Sequence, residues 1–161
     1  SIKPAMLKTK TNNIGVLATE KTLSSNLFLK TSDRFSKGIN IHEQIGFDLV
    51  KIIEENGINE ELLIPKLREY IEPMLEKNID HLVLGCTHYY YLMYLLKKIL
   101  PNGVKILDSS RAVTKRVKNL LKDYNIDSNT SKTKNIFLCT GNDNVIKKFL
   151  SSNDKISKIN L

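Results

Sequence analysis

The run Gly85-Cys86-Thr87-His88 places a thiol, a hydroxyl and an imidazole within four residues. It follows the apolar run His81-Leu82-Val83-Leu84 and precedes a stretch of helical period, so it joins a strand to a helix. The free amides and partial positive charge of a helix N-terminus favour a thiolate and also hold a carboxylate. Cys86 therefore has the setting of a reactive thiol, although a free cysteine is also a common packing residue.

His88 has two interpretations that its spacing from Cys86 leaves open. It could tune the thiol or transfer a proton itself, or it could be a helix-start histidine bonded to a backbone carbonyl. We expect no metal site, because one cysteine and one histidine leave the remaining ligands unaccounted for, and His42 and His81 show no ligand spacing. Cys139 ends a short apolar run, and we expect it to be a packing residue.

The composition, 41% apolar and 26% charged over 161 residues, is that of a globular protein with a real core. No run approaches the roughly 20 apolar residues of a membrane span, and the opening residues are not a signal peptide. Two cysteines are too few for a disulfide framework. These features predict a cytoplasmic protein with no membrane partner.

The net charge of +8 does not by itself indicate a nucleic-acid partner. The lysines are scattered, with no dense basic run and no interleaved aromatics, so a solvated basic surface is expected. The sequence opens on Ser1-Ile2-Lys3-Pro4 with no initial Met. We therefore expect it to start inside a longer protein.

Short apolar runs alternate with stretches of helical period, which predicts an α/β protein with a largely parallel sheet flanked by helices. Strands are predicted over 13–18, 38–42, 81–84, 104–107, 135–139 and 156–161. Helices are predicted over 19–30, 49–57, 63–75, 89–100, 110–122 and 142–150. Because open α/β sheets bind ligands beyond the carboxyl ends of their strands, the chemistry should lie where Cys86 follows its strand.

The run from Leu82 to Tyr89 resembles the second cysteine motif of the cofactor-independent glutamate racemases. Ile2-Lys3-Pro4-Ala5, and the run from Ile14 to Thr19 with Thr22, resemble the entry into the second lobe of that family. Asp108-Ser109 with Ala112-Val113 resemble the segment that leads out of it.

The resemblance implies interconversion of L- and D-glutamate by two thiols without a cofactor, supplying D-glutamate for peptidoglycan. Cys86 matches one thiol and His88 its assistant. Thr87, Thr19 and Thr22 match substrate-binding positions, and the last two could also cap a helix. Glu54 matches an acidic residue behind the catalytic groups, and a solvated charge is its alternative.

The implied architecture is one α/β lobe over residues 1–108 and a return segment over 109–161 that completes a first lobe. The N-terminal part of that first lobe, with the other thiol in a Cys-Asn-Thr motif, has no counterpart in the sequence. The chain alone should therefore be inactive. Glutamate is the expected small-molecule partner, and a homodimer is left open.

The sequence departs from the family pattern in two places. Tyr90-Tyr91 stand where the family has Pro-Leu, so the helix start should be shaped differently, and Gly46 stands where many members have cysteine. The nearest alternative is an aspartate racemase, but those commonly have Glu at the position of His88, so His88 favours glutamate. A non-catalytic binding module built on a racemase lobe is the alternative of another class, because the first thiol is missing.

Overall fold

The computed structural model describes residues 2–35, 37–126, 135–151 and 154–160. The chain divides into two compact units, Ser1–Val113 and Thr114–Leu161. Within the described ranges, no helix is long and apolar enough to cross a lipid bilayer.

A four-stranded parallel sheet organises the first unit. Its strands are β1 (Asn13–Ala18), β2 (Asn40–Ile45), β3 (His81–Gly85) and β4 (Lys105–Leu107). They are arranged in the order β2-β1-β3-β4, and every neighbouring pair is parallel. The predicted α/β class with a parallel sheet is confirmed.

Helices cover both faces of this sheet. They are α1 (Ile2–Lys8), α2 (Glu20–Leu23), α3 (Asn26–Phe35), α4 (Leu49–Asn56), α5 (Glu60–Glu76) and α6 (Met93–Ile99), with a 3-10 helix over Thr87–Leu92. On one face, Ile14 and Val16 of β1 join a buried cluster with Met6 and Phe28. The alternate residue Leu17 is also fully buried, as are Leu49 of α4 and Leu67 of α5.

The helix predicted over 19–30 is wrong as a continuous element, because it breaks into α2 and α3 at Ser24 and Ser25. The hydroxyl of Ser25 donates to the Thr22 carbonyl at 2.7 Å and accepts from Phe28 N at 3.2 Å. Such local side-chain bonds compete with the helical ladder, so Ser25 ends one helix and starts the next.

Two further boundaries differ from the sequence prediction. The strand predicted over 38–42 occupies Asn40–Ile45 instead, because Gly38 has a φ of 75°, which a strand residue does not adopt. The helix predicted over 89–100 becomes α-helical only at Met93. Its first part is 3-10, with Tyr89 N donating to the Cys86 carbonyl at 3.2 Å.

The helix α7 (Ser110–Asp123) runs from the first unit into the second. The other described elements of the second unit are a parallel pair, β5 (Ile136–Cys139) and β6 (Lys155–Lys158), and the helix α8 (Asp143–Lys147) that lies between them in the sequence. The predicted helix over 142–150 and strand over 156–161 are thus shorter than expected, and residue 161 lies outside the described ranges. None of the residues of α7 is buried in the described part of the chain.

Candidate active site

The candidate site lies at the carboxyl ends of β1 and β3. These strands are parallel neighbours whose register ends with Ala18 beside Gly85. Thr19 follows β1 and Cys86 follows β3, so the pairing of these strands brings both residues to one edge of the sheet. A Cβ at position 85 would lie 2.6 Å from the Cβ of Ala18. Glycine is therefore required by the close approach of the two strand ends.

Thr19 and Thr22 form a hydrogen-bonded pair that attaches α2 to β3. Thr19 caps α2, because its Oγ1 accepts from Thr22 N at 3.3 Å. Thr22 Oγ1 donates to the Gly85 carbonyl at 3.0 Å, and the two hydroxyl oxygens are 2.9 Å apart. Since the Thr22 hydrogen goes to Gly85, Thr19 is the donor within the pair. The helix-capping alternative for Thr19 is thus correct, and it leaves hydroxyl lone pairs available.

Cys86 begins the 3-10 helix in an extended conformation, with a φ of −141° and a ψ of 139°. Its side chain makes no capping hydrogen bond, and the residue is half-buried. The Sγ atom lies 4.0 Å from Nδ1 of His88. The thiol is therefore not committed to the backbone and has an imidazole as its neighbour.

His88 links Cys86 to α4. Its Nε2 lies 2.9 Å from Oε1 of Glu54, and the two side chains are 31% and 38% exposed. A carboxylate only accepts, so Nε2 carries the hydrogen and Nδ1 is directed toward the thiol. A neutral imidazole can then take the proton of Cys86, and the resulting cation stabilises the thiolate. Because the pair is partly solvated, its contribution is mainly orientation rather than stability.

Five of the six proposed residues line two pockets, and His88 lines neither of the two. Cys86, Thr87 and Thr22 line one of ≈ 390 Å³, with Ser25 and Ser109 adding hydroxyls. Thr19 and Glu54 line a second of ≈ 410 Å³, together with Gly46 and Lys51. The first pocket offers a thiol and several hydroxyl groups, which suit a small polar ligand with a carboxylate.

Cys139 ends β5 in the second unit. Its side chain is half-buried, whereas that of a core residue would be fully buried. Across the described residues there is no group of three or more His, Cys, Asp or Glu side chains that could hold a metal ion.

Comparison with known proteins gives a consistent result. No protein-family model matches the chain. A glutamate racemase of Stutzerimonas stutzeri is 34% identical over 141 residues, covering 88% of this chain and 53% of that relative. The glutamate racemase RacE1 of Bacillus anthracis superposes with a TM-score of 0.81 at 24% identity, over 98% of this chain and 61% of that one. The chain belongs to the glutamate racemase family.

A second solved member is the glutamate racemase of Francisella tularensis in complex with D-glutamate. It superposes with a TM-score of 0.78 at 26% identity, over 99% of this chain and 61% of that racemase. The chain thus spans about half the length of the curated relatives it matches. This share is consistent with the C-terminal portion of a glutamate racemase, as the sequence motif predicts.

Sequence reasoning missed two tyrosines near the racemase motif. Tyr89 is fully buried and Tyr70 is 4% exposed, and each hydroxyl donates to a carbonyl after β2. In the sequence they resemble ordinary core aromatics. The departure at Gly46 was the available signal, because a Cβ at that position would meet the Tyr89 hydroxyl and lie 2.8 Å from Leu49 Cδ1.

Proposed function

We propose that this chain supplies one of the two acid/base thiols of a glutamate racemase, and that Cys86 is that thiol. The observation that carries the proposal is the series Glu54, His88 and Cys86, with a 2.9 Å contact from carboxylate to imidazole and a 4.0 Å contact from imidazole to sulfur. An oriented imidazole beside a thiol can take the proton of that thiol and return it, which is what an acid/base cysteine requires.

The proposed reaction balances through two thiols. The Cys86 thiolate removes the α-proton from one face of glutamate and becomes a thiol, and a second thiol donates a proton to the opposite face. The C–H bond breaks and re-forms, so no electron acceptor is consumed. The negative charge that develops near the carboxylate needs hydrogen-bond donors and no cofactor. His88 holds or returns the proton of Cys86 between turnovers, and Glu54 positions His88.

The threonines are proposed to bind the substrate. Thr22 and Thr87 share the pocket of Cys86, and the Thr19 hydroxyl lies 2.9 Å from that of Thr22. Because the Thr22 hydrogen goes to the Gly85 carbonyl and the Thr19 hydrogen goes to Thr22, these two hydroxyls offer lone pairs, which suit the α-ammonium group of glutamate. Thr22→Val should therefore weaken substrate binding, seen as a raised KM, more than it lowers kcat.

The other thiol is proposed to come from a first half of the enzyme that lies outside these 161 residues. In this proposal residues 1–108 form one lobe and residues 109–161 return to the other. The exposed apolar side chains Val113, Val117 and Leu121, at 57%, 49% and 37% exposure, support a return segment whose partner surface is elsewhere. They recur every four residues along α7, as one face of a helix does.

Glutamate is the proposed substrate because His88 stands where aspartate racemases commonly have Glu, and because a related racemase was solved with D-glutamate. The proposed role is to supply D-glutamate for peptidoglycan in the cytoplasm. A homodimer is compatible with this role and is not required by it.

The experiment is to incubate the chain with D-glutamate in D₂O and to follow optical rotation and the α-proton NMR signal. The chain alone should neither racemise glutamate nor exchange the α-proton, whereas a complete racemase containing it should do both. Racemisation by the chain alone that vanishes on Cys139→Ala would overturn the proposal. A complete protein that binds glutamate without exchange would favour the non-catalytic binding module.

A further inference from the structure

Every residue of the turn between β2 and α4 makes a hydrogen bond through its backbone. Gly46 N donates to the Ala18 carbonyl at 2.9 Å, which continues the pairing of β2 with β1. The carbonyl of Gly46 accepts from the Tyr89 hydroxyl at 3.0 Å. The next carbonyl, that of Phe47, accepts from the Tyr70 hydroxyl at 3.1 Å. Two tyrosines from different elements, the 3-10 helix and α5, thus bind successive carbonyls.

The residue that follows shows why this turn needs support. Asp48 has a φ of 59°, in the left-handed region that costs a non-glycine residue energy. Its carbonyl then accepts from Ile52 N at 2.8 Å as the first hydrogen bond of α4. The direction of α4 is therefore set by the conformation of Gly46, Phe47 and Asp48. Glu54 lies on that helix.

Tyr89 connects this turn directly to the thiol. Its backbone N donates to the Cys86 carbonyl at 3.2 Å, and its side chain is fully buried. Burial raises the pKa of the Tyr89 phenol well above its usual range, and the neighbouring Cys86 and Tyr70 add to the rise. The hydroxyl therefore stays a donor to Gly46 throughout the physiological pH range.

We infer that Tyr89, assisted by Tyr70, is a positioning residue that sets the distance between Glu54 and His88 and so controls the reactivity of Cys86. Tyr89 belongs to the 3-10 helix that begins after Cys86 and contains His88. Its hydroxyl binds the turn that precedes α4, the helix that contains Glu54. Loss of that hydroxyl leaves α4 free to shift relative to the imidazole. The inference rests on the proposed function of Cys86.

The test is the rate at which iodoacetamide labels Cys86 in the 161-residue chain, measured as a function of pH with Cys139 as an internal reference. Tyr89→Phe removes only the hydroxyl. It should slow Cys86 labelling at pH 7 by about threefold to tenfold, the size expected for one lost hydrogen bond, and move the pH profile of labelling upward. Cys139 labelling should not change. In ¹⁵N NMR the His88 Nε2–H signal should lose its hydrogen-bonded shift.

Two controls separate positioning from loss of stability. Tyr94→Phe removes an exposed tyrosine hydroxyl on α6 and should label as the unaltered chain does. Ile71→Val removes one methylene from the core of α5 and should lower the melting temperature without moving the pH profile. If Ile71→Val moves the profile as far as Tyr89→Phe, the inference is overturned.

A folded Tyr89→Phe chain with unaltered labelling also overturns the inference, as does faster labelling at every pH. If Tyr89→Phe does not fold, Tyr70→Phe decides. Slower Cys86 labelling in Tyr70→Phe supports the positioning role of the two tyrosines, and unaltered labelling in that variant overturns it. Failure of the proposed function is seen separately, because the unaltered chain would then label Cys86 no faster than Cys139.

Discussion

His88 Nε2 lies 2.9 Å from Glu54 Oε1, although the two residues are 34 positions apart in the sequence. The contact fixes which imidazole nitrogen carries the hydrogen and leaves the other to face Cys86 Sγ. A thiol that follows β3, an imidazole of the 3-10 helix and a carboxylate of α4 therefore contact one another in series.

Glu54→Gln should slow the alkylation of Cys86 at pH 7 by about threefold to tenfold, because a neutral amide stabilises the His88 cation less than a carboxylate does. The measurement is mass-spectrometric quantification of labelled Cys86 over time. Glu76→Gln, an exposed change near the end of α5, is the matched control and should have no effect. Equal rates in all three proteins would show that Glu54 does not act on the thiol.

Cys86 should react with iodoacetamide near neutral pH well ahead of Cys139. Both cysteines are half-buried, so accessibility alone does not separate them. Cys86 has an imidazole nitrogen 4.0 Å from its sulfur, and an adjacent imidazole can act as the base that activates a thiol. Equal labelling, or faster labelling of Cys139, would count against the assignment of the site.

The sequence predicted the sheet and the position of the thiol because both depend on local patterns. Continuous apolar runs identify β1 and β3, and parallel pairing then puts their carboxyl ends together. The break at Ser25 was missed because a side-chain hydrogen bond, invisible to periodicity, decides it. The Tyr89 contact was missed because its acceptor is 43 positions away. Glu54 was found by resemblance alone.

Gly85→Ala should lower the free energy of unfolding by roughly 1–3 kcal/mol, the cost of overpacking a core position. The new methyl group would lie 2.6 Å from Ala18 Cβ and 3.4 Å from Thr22 Cγ2. Urea denaturation measures the change. Gly103→Ala is the control, because a Cβ there meets nothing within 4 Å. Two equally stable variants would mean that the strand ends are not as close as described.

Asp80 should make stability depend on pH at the opposite end of the sheet. Partial burial alone raises the pKa of its carboxyl, but hydrogen bonds from His81 and from the backbone of Lys10 and Thr11 outweigh this and lower the pKa well below its usual range. When the pKa of a carboxyl is lower in the folded state, its contribution to stability is fully present above the unfolded-state pKa of about 4. That contribution is lost as the pH falls through the folded-state pKa.

Asp80→Asn should therefore cost roughly 1–3 kcal/mol at pH 7, since the carboxylate accepts several hydrogen bonds from His81 and the backbone. The difference from the unaltered chain should narrow as the pH falls from about 4 to about 2, because the carboxyl takes up its proton in the unfolded state over this range while it stays ionised in the folded state. Urea denaturation at pH 7 and over this range measures it. A difference that does not vary with pH would contradict the assignment of this stability to an ionised Asp80.

The measurement that tests the central claim most directly is racemisation by the complete enzyme carrying Cys86→Ser, compared with the same enzyme carrying Cys139→Ser. Loss of the α-proton NMR signal of D-glutamate in D₂O reports the proton transfer itself. Cys86→Ser should lower kcat by about 10²- to 10⁴-fold, because serine is a far weaker acid and base than cysteine at neutral pH. Cys139→Ser should leave kcat unchanged. Near-normal turnover by Cys86→Ser, with activity lost instead in Cys139→Ser, would contradict the account.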